Sequence, residues 1–303
     1  MISFIIPAKN VSIYIKDCLL PFIKYNGKID FEVIVVDDGS TDCTLEILIG
    51  LSLENTFFKI FQNPYEGKVA ALNFGYLQSS GRIIKCIDAD DVLSLDIIDI
   101  LNNQEENESV FHDATIIDQN LNQLAYFPCN SKIIDLSYTD VVKNIISLPR
   151  WTWSFSRKIG DEIFPMPTEI PFEDIWFAFS IKKYSKKITF LTKSYYLYRQ
   201  HNNQTFGGVM NFSKEKVVFR ANRILILLPI IKASCLGRDL DIELFDRNIV
   251  FFDYIAKHKW RMINFFKLKA TKLNKLKYFF ILFYPNFAKK LLEINWRINT
   301  FLR

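Results

Sequence analysis
The sequence predicts an α/β protein: an open, mostly parallel sheet with helices on both faces, followed by a helical extension. Three observations carry that expectation. Over the first 115 residues short β-rich runs alternate with helical patterns, two of those runs end in adjacent aspartates, and beyond residue 208 the pattern is purely helical.

Residues 2–6, 31–36, 57–61 and 83–87 are nearly continuous apolar runs rich in β-branched residues and Phe, the signature of strands buried on both faces. Between them, residues 12–25, 42–52 and 68–78 carry helical spacing, with Ser12 and Asp42 placed to cap the first two helices. Strand–helix alternation at this spacing implies right-handed βαβ crossovers. Residues 110–117 and 123–127, separated by five turn-forming residues, predict an added hairpin. A short helix over 140–146, an aromatic segment over 151–155, a helix over 172–184 and short strands over 187–191 and 195–199 follow. Gly207-Gly208 marks the expected boundary, giving a domain of residues 1–207 and a helical extension of residues 208–303.

Half of the 303 residues are hydrophobic and the net charge is only +5, which excludes a mainly disordered chain. The average hides a division. Residues 257–303 contain twelve Lys or Arg and one acid, a charge of +11, which leaves −6 for the first 256 residues. Between residues 260 and 283, one wheel face carries Met262, Phe265, Phe266, Leu273, Leu276 and Phe280, with Lys269 breaking the stripe. Such a Lys- and Phe-rich helix suits an anionic membrane surface; packing on the body, a homo-oligomer contact and nucleic acid are the alternatives. Nucleic acid ranks last because an acidic body offers no continuous basic groove.

The first apolar run has no basic segment before it and stops at Pro7 and Lys9, so no secretory signal is expected. The later apolar runs at 224–231 and 278–284 fall short of the roughly 20 residues that cross a bilayer. The expectation is a cytoplasmic protein, or one peripheral on the inner face of the cell membrane. Five scattered cysteines, odd in number and without a CxxC pair, read as reduced thiols.

In a parallel sheet the carboxyl ends of the strands share one edge, where ligands bind. Two runs end there in acids: Asp37-Asp38-Gly39-Ser40 and Asp88-Ala89-Asp90-Asp91. Crowded aspartates repel one another unless a cation or a donor-rich ligand sits among them, and hard oxygen ligands suit Mg²⁺ or Mn²⁺. Glu173-Asp174 opens a helix, and His201 follows a strand. Either could be a plain structural feature.

Together these residues resemble glycosyltransferase family 2, with its GT-A fold. The likeness rests on residues 5–10 (IIPAKN), 35–42 (VVDDGSTD), 67–75 (GKVAALNFG), 81–84 (GRII), 88–91 (DADD), 172–174 (FED) and 198–201 (YRQH), in the family's order over about residues 1–207. The resemblance implies inverting transfer of a sugar from a nucleotide donor, most often a UDP-sugar, to a saccharide or lipid-linked acceptor in surface polysaccharide synthesis. It implies a nucleoside pocket at Pro7, Ala8 and Asn10, with Asp38 on the base and Lys68 near the base or diphosphate. Asp88 and Asp90 match the metal and ribose motif, with Asp90 the direct ligand of Mn²⁺ or Mg²⁺. His201 matches a further metal or diphosphate contact, and Asp174 the general base. Lys9 departs from the family, where many members carry an aromatic residue. Trp151, Trp153, Arg157 and Glu173 fall in the region that borders the acceptor, although packing on the sheet is the other reading of both tryptophans. A catalytically inactive, nucleotide-sugar-binding or scaffolding member is the alternative function; the full set of Asp38, Asp88, Asp90, Asp174 and His201 argues against it.

Overall fold
The computed structural model describes residues 1–129, 131–201, 213–234, 239–257 and 260–291. They fall into two units. The first takes Met1–Asp135, Leu148–Thr168 and Ser180–Gln200; the second takes Leu136–Ser147, Glu169–Phe179 and the described residues of His201–Arg303. The chain therefore enters the second unit twice before residue 200. Gly207 and Gly208, where the sequence suggested a boundary, lie outside the described residues.

The first unit opens with β1 (Ile2–Ala8), α1 (Ile15–Lys24), β2 (Phe31–Asp37), α2 (Thr44–Glu54), β3 (Phe58–Gln62), α3 (Lys68–Gln78) and β4 (Ile83–Cys86). β5 (Val92–Leu93), α4 (Ile98–Asn102), β6 (Glu108–Ile117) and β7 (Gln123–Phe127) follow. After α5 (Tyr138–Asn144), which belongs to the second unit, come β8 (Trp153–Ser156), α6 (Arg157–Ile163), α7 (Glu173–Tyr184) and β9 (Lys187–Arg199). Parallel pairing gives the order β3-β2-β1-β4, as the alternation predicts. The sheet then continues β8-β6-β9-β5, with β8 antiparallel to both neighbours and β7 forming the expected hairpin with β6.

The core explains this arrangement. Ile2, Phe4, Ile6, Val33 and Val35 face α1 together with Cys18, Leu19 and Phe22, whereas Ile34 and Val36 face α3. At 20–33 cal/mol per Å² of apolar surface, fully burying each such side chain contributes about 1.5–3 kcal/mol. α3 lies so close to the sheet that a Cβ on Gly75 would stand 2.6 Å from Ile5 Cγ2.

Several expectations change in detail. α1 and α2 start two or three residues later than expected, and neither is capped by Ser12 or Asp42. Asp42 instead accepts from the main-chain N–H groups of Ser12 and Thr44, tying two loops together. The segment 187–199 is one strand, not two; its register against β6 shifts around Asp113, which interrupts the pattern read from sequence.

The second unit comprises α5, the start of α7, α8 (Lys214–Ala233), α9 (Ile242–Ala256), α10 (Met262–Lys267) and α11 (Lys272–Phe283) among its described residues. Phe251 and Phe252 of α9 meet the Tyr278 ring edge-on, and Asn248 and Asn274 donate to the carbonyls of Val142 and Lys143. The single amphipathic helix read over 260–283 is two helices, because Leu268 is extended. Burial follows α11's own spacing, Asn274, Tyr278 and Leu282, so Leu273 and Leu276 of the expected stripe are exposed. Residues 258–259 and 292–303 of the basic tail lie outside the described residues.

Candidate active site
The carboxyl ends of β1, β2 and β4 bring together six residues singled out from sequence. Pro7 and Ala8 end β1 and are buried. Asn10 turns the chain at φ 53°, and its side-chain oxygen accepts from the Thr41 N–H at 2.7 Å, while its own N–H donates to Ser40 Oγ. The loop after β1 is thereby tied to the loop after β2. Asp37 is buried and accepts from the Ser40 N–H, so it shapes the turn.

Asp38, 7% exposed, accepts at Oδ1 from Asn63 Nδ2 at 2.7 Å and from the Gly67 N–H at 2.9 Å. Its other oxygen lies 3.5 Å from Lys9 Nζ. The residue that departs from the family pattern thus answers the charge of Asp38. Gly67 sits at φ 100°, a conformation that L side chains rarely adopt, and turns the chain into α3 with Lys68 first. Lys68 Nζ reaches 3.0 Å from Asp88 Oδ1.

Asp88, Asp90 and Asp91 form a tight turn after β4. Arg150, buried and unforeseen as a site residue, donates from its guanidinium to Asp88 Oδ1. Burial works against the ionised form of Asp88, but Arg150 and Lys68 outweigh it and hold its carboxyl at about 2. Tyr196 of β9 accepts the Asp88 N–H at 3.0 Å and stacks on Trp151 at 4.4 Å. Asp91 accepts at Oδ1 from the Arg199 N–H at 2.7 Å. Burial, and then the charges of Asp90 and Asp88, push the Asp91 carboxyl well above its usual range. Among the described residues no three His, Cys, Asp or Glu side chains gather into a complete metal cage. The donor set fits Mg²⁺ or Mn²⁺, which take one or two carboxylates and complete their shell with water and substrate phosphate.

Two acceptor-side expectations are corrected. Trp153 is 0% exposed and packs on Phe111, with ring centroids 4.9 Å apart, so it is a core residue of β8 and offers no face to a sugar. Trp151 is likewise buried. Arg157 donates to the Gly81 carbonyl and lies over the Tyr76 ring, a bracing role at the amino end of the sheet. Glu173 and Asp174 open α7 in the second unit, and His201 follows β9, half-buried. Arg150 was not singled out from sequence, and Arg199 was noted only as part of segment 198–201 with no role of its own, because an arginine normally marks a surface. The signals were their places, directly before an aromatic segment and at the end of a strand.

Comparison with known proteins places this geometry. The family model described as glycosyl transferase family 2 matches residues 3–159. A poly-beta-1,6-N-acetyl-D-glucosamine synthase of Staphylococcus aureus is 34% identical over 97 residues, 31% of this chain and 23% of that protein. The chain spans about a third or less of the curated relatives it matches. Among solved structures, S. aureus TarS 1–349 in complex with UDP-GlcNAc gives a TM-score of 0.58 at 18% identity, covering 91% of this chain and 78% of that one. Mannosyltransferase PcManGT from Pyrobaculum calidifontis, in complex with GDP-Man and Mn²⁺, gives 0.54 at 16% identity, covering 88% and 71%. These likenesses confirm the expected GT-A type of fold. With the family model matching more than half of its length, the chain belongs to glycosyl transferase family 2.

Proposed function
We propose that the protein transfers a sugar, with inversion, from a nucleotide-sugar donor to a saccharide or lipid-linked acceptor in surface polysaccharide synthesis. The observation that carries this reading is the Asp88–Asp91 turn beside Asp38 and Lys68, on one edge of a parallel sheet. Asp38 and the loop around Asn10 receive the nucleoside. Asp88, kept ionised by Arg150, is an acceptor for the ribose hydroxyls, and Lys68 moves its charge onto the diphosphate. Asp90 holds a divalent cation, with His201 as a further contact to the cation or the diphosphate. Bound there, Mn²⁺ or Mg²⁺ supplies positive charge to the departing diphosphate. A UDP-sugar is the favoured donor, supported by the TarS complex; the PcManGT complex keeps GDP-mannose as a candidate.

Asp174 is the general base. It removes the proton from the acceptor hydroxyl, whose oxygen forms the new bond to the anomeric carbon as the bond to the phosphate oxygen breaks. The nucleoside diphosphate leaves with that electron pair, and no covalent enzyme intermediate is needed. Incubating the protein with a panel of UDP- and GDP-sugars, with Mn²⁺ or with EDTA, and reading the products by mass spectrometry tests the reading. Metal-dependent release of one nucleoside diphosphate is expected; release from none, with or without candidate acceptors, sinks it.

The basic C-terminal segment is proposed to rest on an anionic membrane surface. Its apolar side chains Ile263, Phe266, Leu273, Leu276 and Phe287 are exposed among lysines 267, 269, 272, 275, 289 and 290. Flotation with anionic liposomes tests it: deletion of residues 257–303 should abolish flotation, and unchanged flotation would remove the segment as the anchor.

A further inference from the structure
We infer that Arg199 is a positioning residue for the cation-binding turn. It acts by fixing the backbone from which the Asp90 carboxylate projects. This rests on the proposed reading of Asp90 as the cation's ligand.

Arg199 is 0% exposed and contacts three parts of the chain, at residues 14–17, 90–91 and 119. Nε donates to the Asp90 main-chain carbonyl at 2.7 Å, and Nη1 to the Gln119 carbonyl in the β6–β7 turn at 2.7 Å. Nη2 donates to Asp17 Oδ2 of α1 at 3.0 Å, and the guanidinium lies over the Tyr14 ring at 4.7 Å. Its own N–H reaches Asp91 Oδ1 at 2.7 Å. One residue thus grips two consecutive members of the turn, Asp90 by its main chain and Asp91 by its side chain.

Packing alone does not call for this choice. Burying a guanidinium carries a large hydration cost unless its fork is matched. An apolar side chain would fill the same space but could not hold a carbonyl that points inward from the turn. A lysine keeps the charge, yet its single nitrogen cannot reach Asp90, Gln119 and Asp17 with the geometry of a planar fork. The direction of the Asp90 carboxylate is set by the turn's dihedral angles, and a productive ligand must be held within about 0.5 Å. Groups that orient a metal ligand in this way typically govern affinity by 10–100-fold when changed.

The test is Mn²⁺ binding followed by electron paramagnetic resonance in the presence of UDP, or of GDP if UDP does not bind, for the wild type, Arg199→Gln and Arg199→Lys. Thermal melting is measured in parallel. Both variants should weaken Mn²⁺ binding at least about tenfold in protein that is still folded. A merely structural arginine would lower the melting temperature and leave the Mn²⁺ affinity of the folded fraction within twofold of the wild type, which overturns the inference. If neither variant folds, Asp17→Asn decides, since Asp17 is 38% exposed and the change leaves Arg199 in place. A rise of about threefold or more in the Mn²⁺ dissociation constant is expected, and no rise overturns the inference. Wild-type protein that binds no Mn²⁺ with either nucleotide would refute the metal reading itself and this inference with it, a result distinct from an unchanged variant.

Discussion
The two ends of the parallel strands β1–β4 hold their carboxylates differently. At the amino end Glu32 is enclosed by donors from three neighbouring segments: Ser3 Oγ at 2.5 Å, Lys59 Nζ at 2.6 Å, and Ser80 and Gly81 N–H at 2.6 and 3.2 Å. Burial opposes its charge, but these donors win and hold its carboxyl at about 2. At the carboxyl end Asp88, Asp90 and Asp91 share one turn: Arg150 and Lys68 hold the Asp88 carboxyl low, whereas burial, and then the charges of Asp90 and Asp88, raise that of Asp91. A carboxylate enclosed by donors of its own chain is a structural joint; three carboxylates on one turn are the arrangement on which the proposed cation site rests.

The largest expected effect is at the proposed base. Asp174→Asn should lower transfer by about 10²–10⁴-fold, the usual worth of a positioned base, while UDP binding stays within a few fold. Near-normal turnover would remove Asp174 as base and confine the chemistry to the sheet edge.

Arg150→Met sharpens the contrast at the carboxyl end. Removing one member of a buried ion pair typically costs about 3–5 kcal/mol, so urea unfolding should shift by that order and the donor KM should rise. Unaltered stability and KM would mean that Asp88 does not depend on Arg150.

Glu32→Gln should break only the amino end. A carboxyl held near 2 against an ordinary value of about 4.5 contributes stability that is fully present above pH 4.5 and is lost as pH falls towards 2. The variant should be about 2 kcal/mol less stable at pH 7, with the gap closing between pH 4.5 and 2 and nucleotide binding unchanged. A gap that persists at pH 2, or weakened binding, would merge the two ends into one function.

Much of this contrast could be read from the residues alone. Buried strands announce themselves by continuous β-branched runs, and the acid pairs that follow β2 and β4 mark the edge proposed to bind the donor. β8 did not announce itself: four residues, Trp-Ser-Phe-Ser, inserted antiparallel between β4 and β6, are too short to carry a period and pair with strands distant in sequence. The roles of Arg150 and Arg199 went unread for a related reason. Their roles come from long-range partners, Asp88 at a separation of 62 residues and Asp17 at 182, which no local pattern encodes. The break at Leu268 had a visible sign in Lys269, which interrupts the apolar stripe.

On the proposed function the Asp88–Asp91 turn receives a divalent cation together with a nucleoside diphosphate. Calorimetric titration of UDP into the wild type and Asp90→Ala, each with Mn²⁺ and with EDTA, tests it most directly. The wild type should bind UDP about tenfold tighter with Mn²⁺, a coupling of ordinary size, and Asp90→Ala should bind equally in both conditions. Equal binding by the wild type with and without Mn²⁺, or an undiminished Mn²⁺ effect in Asp90→Ala, would contradict the account.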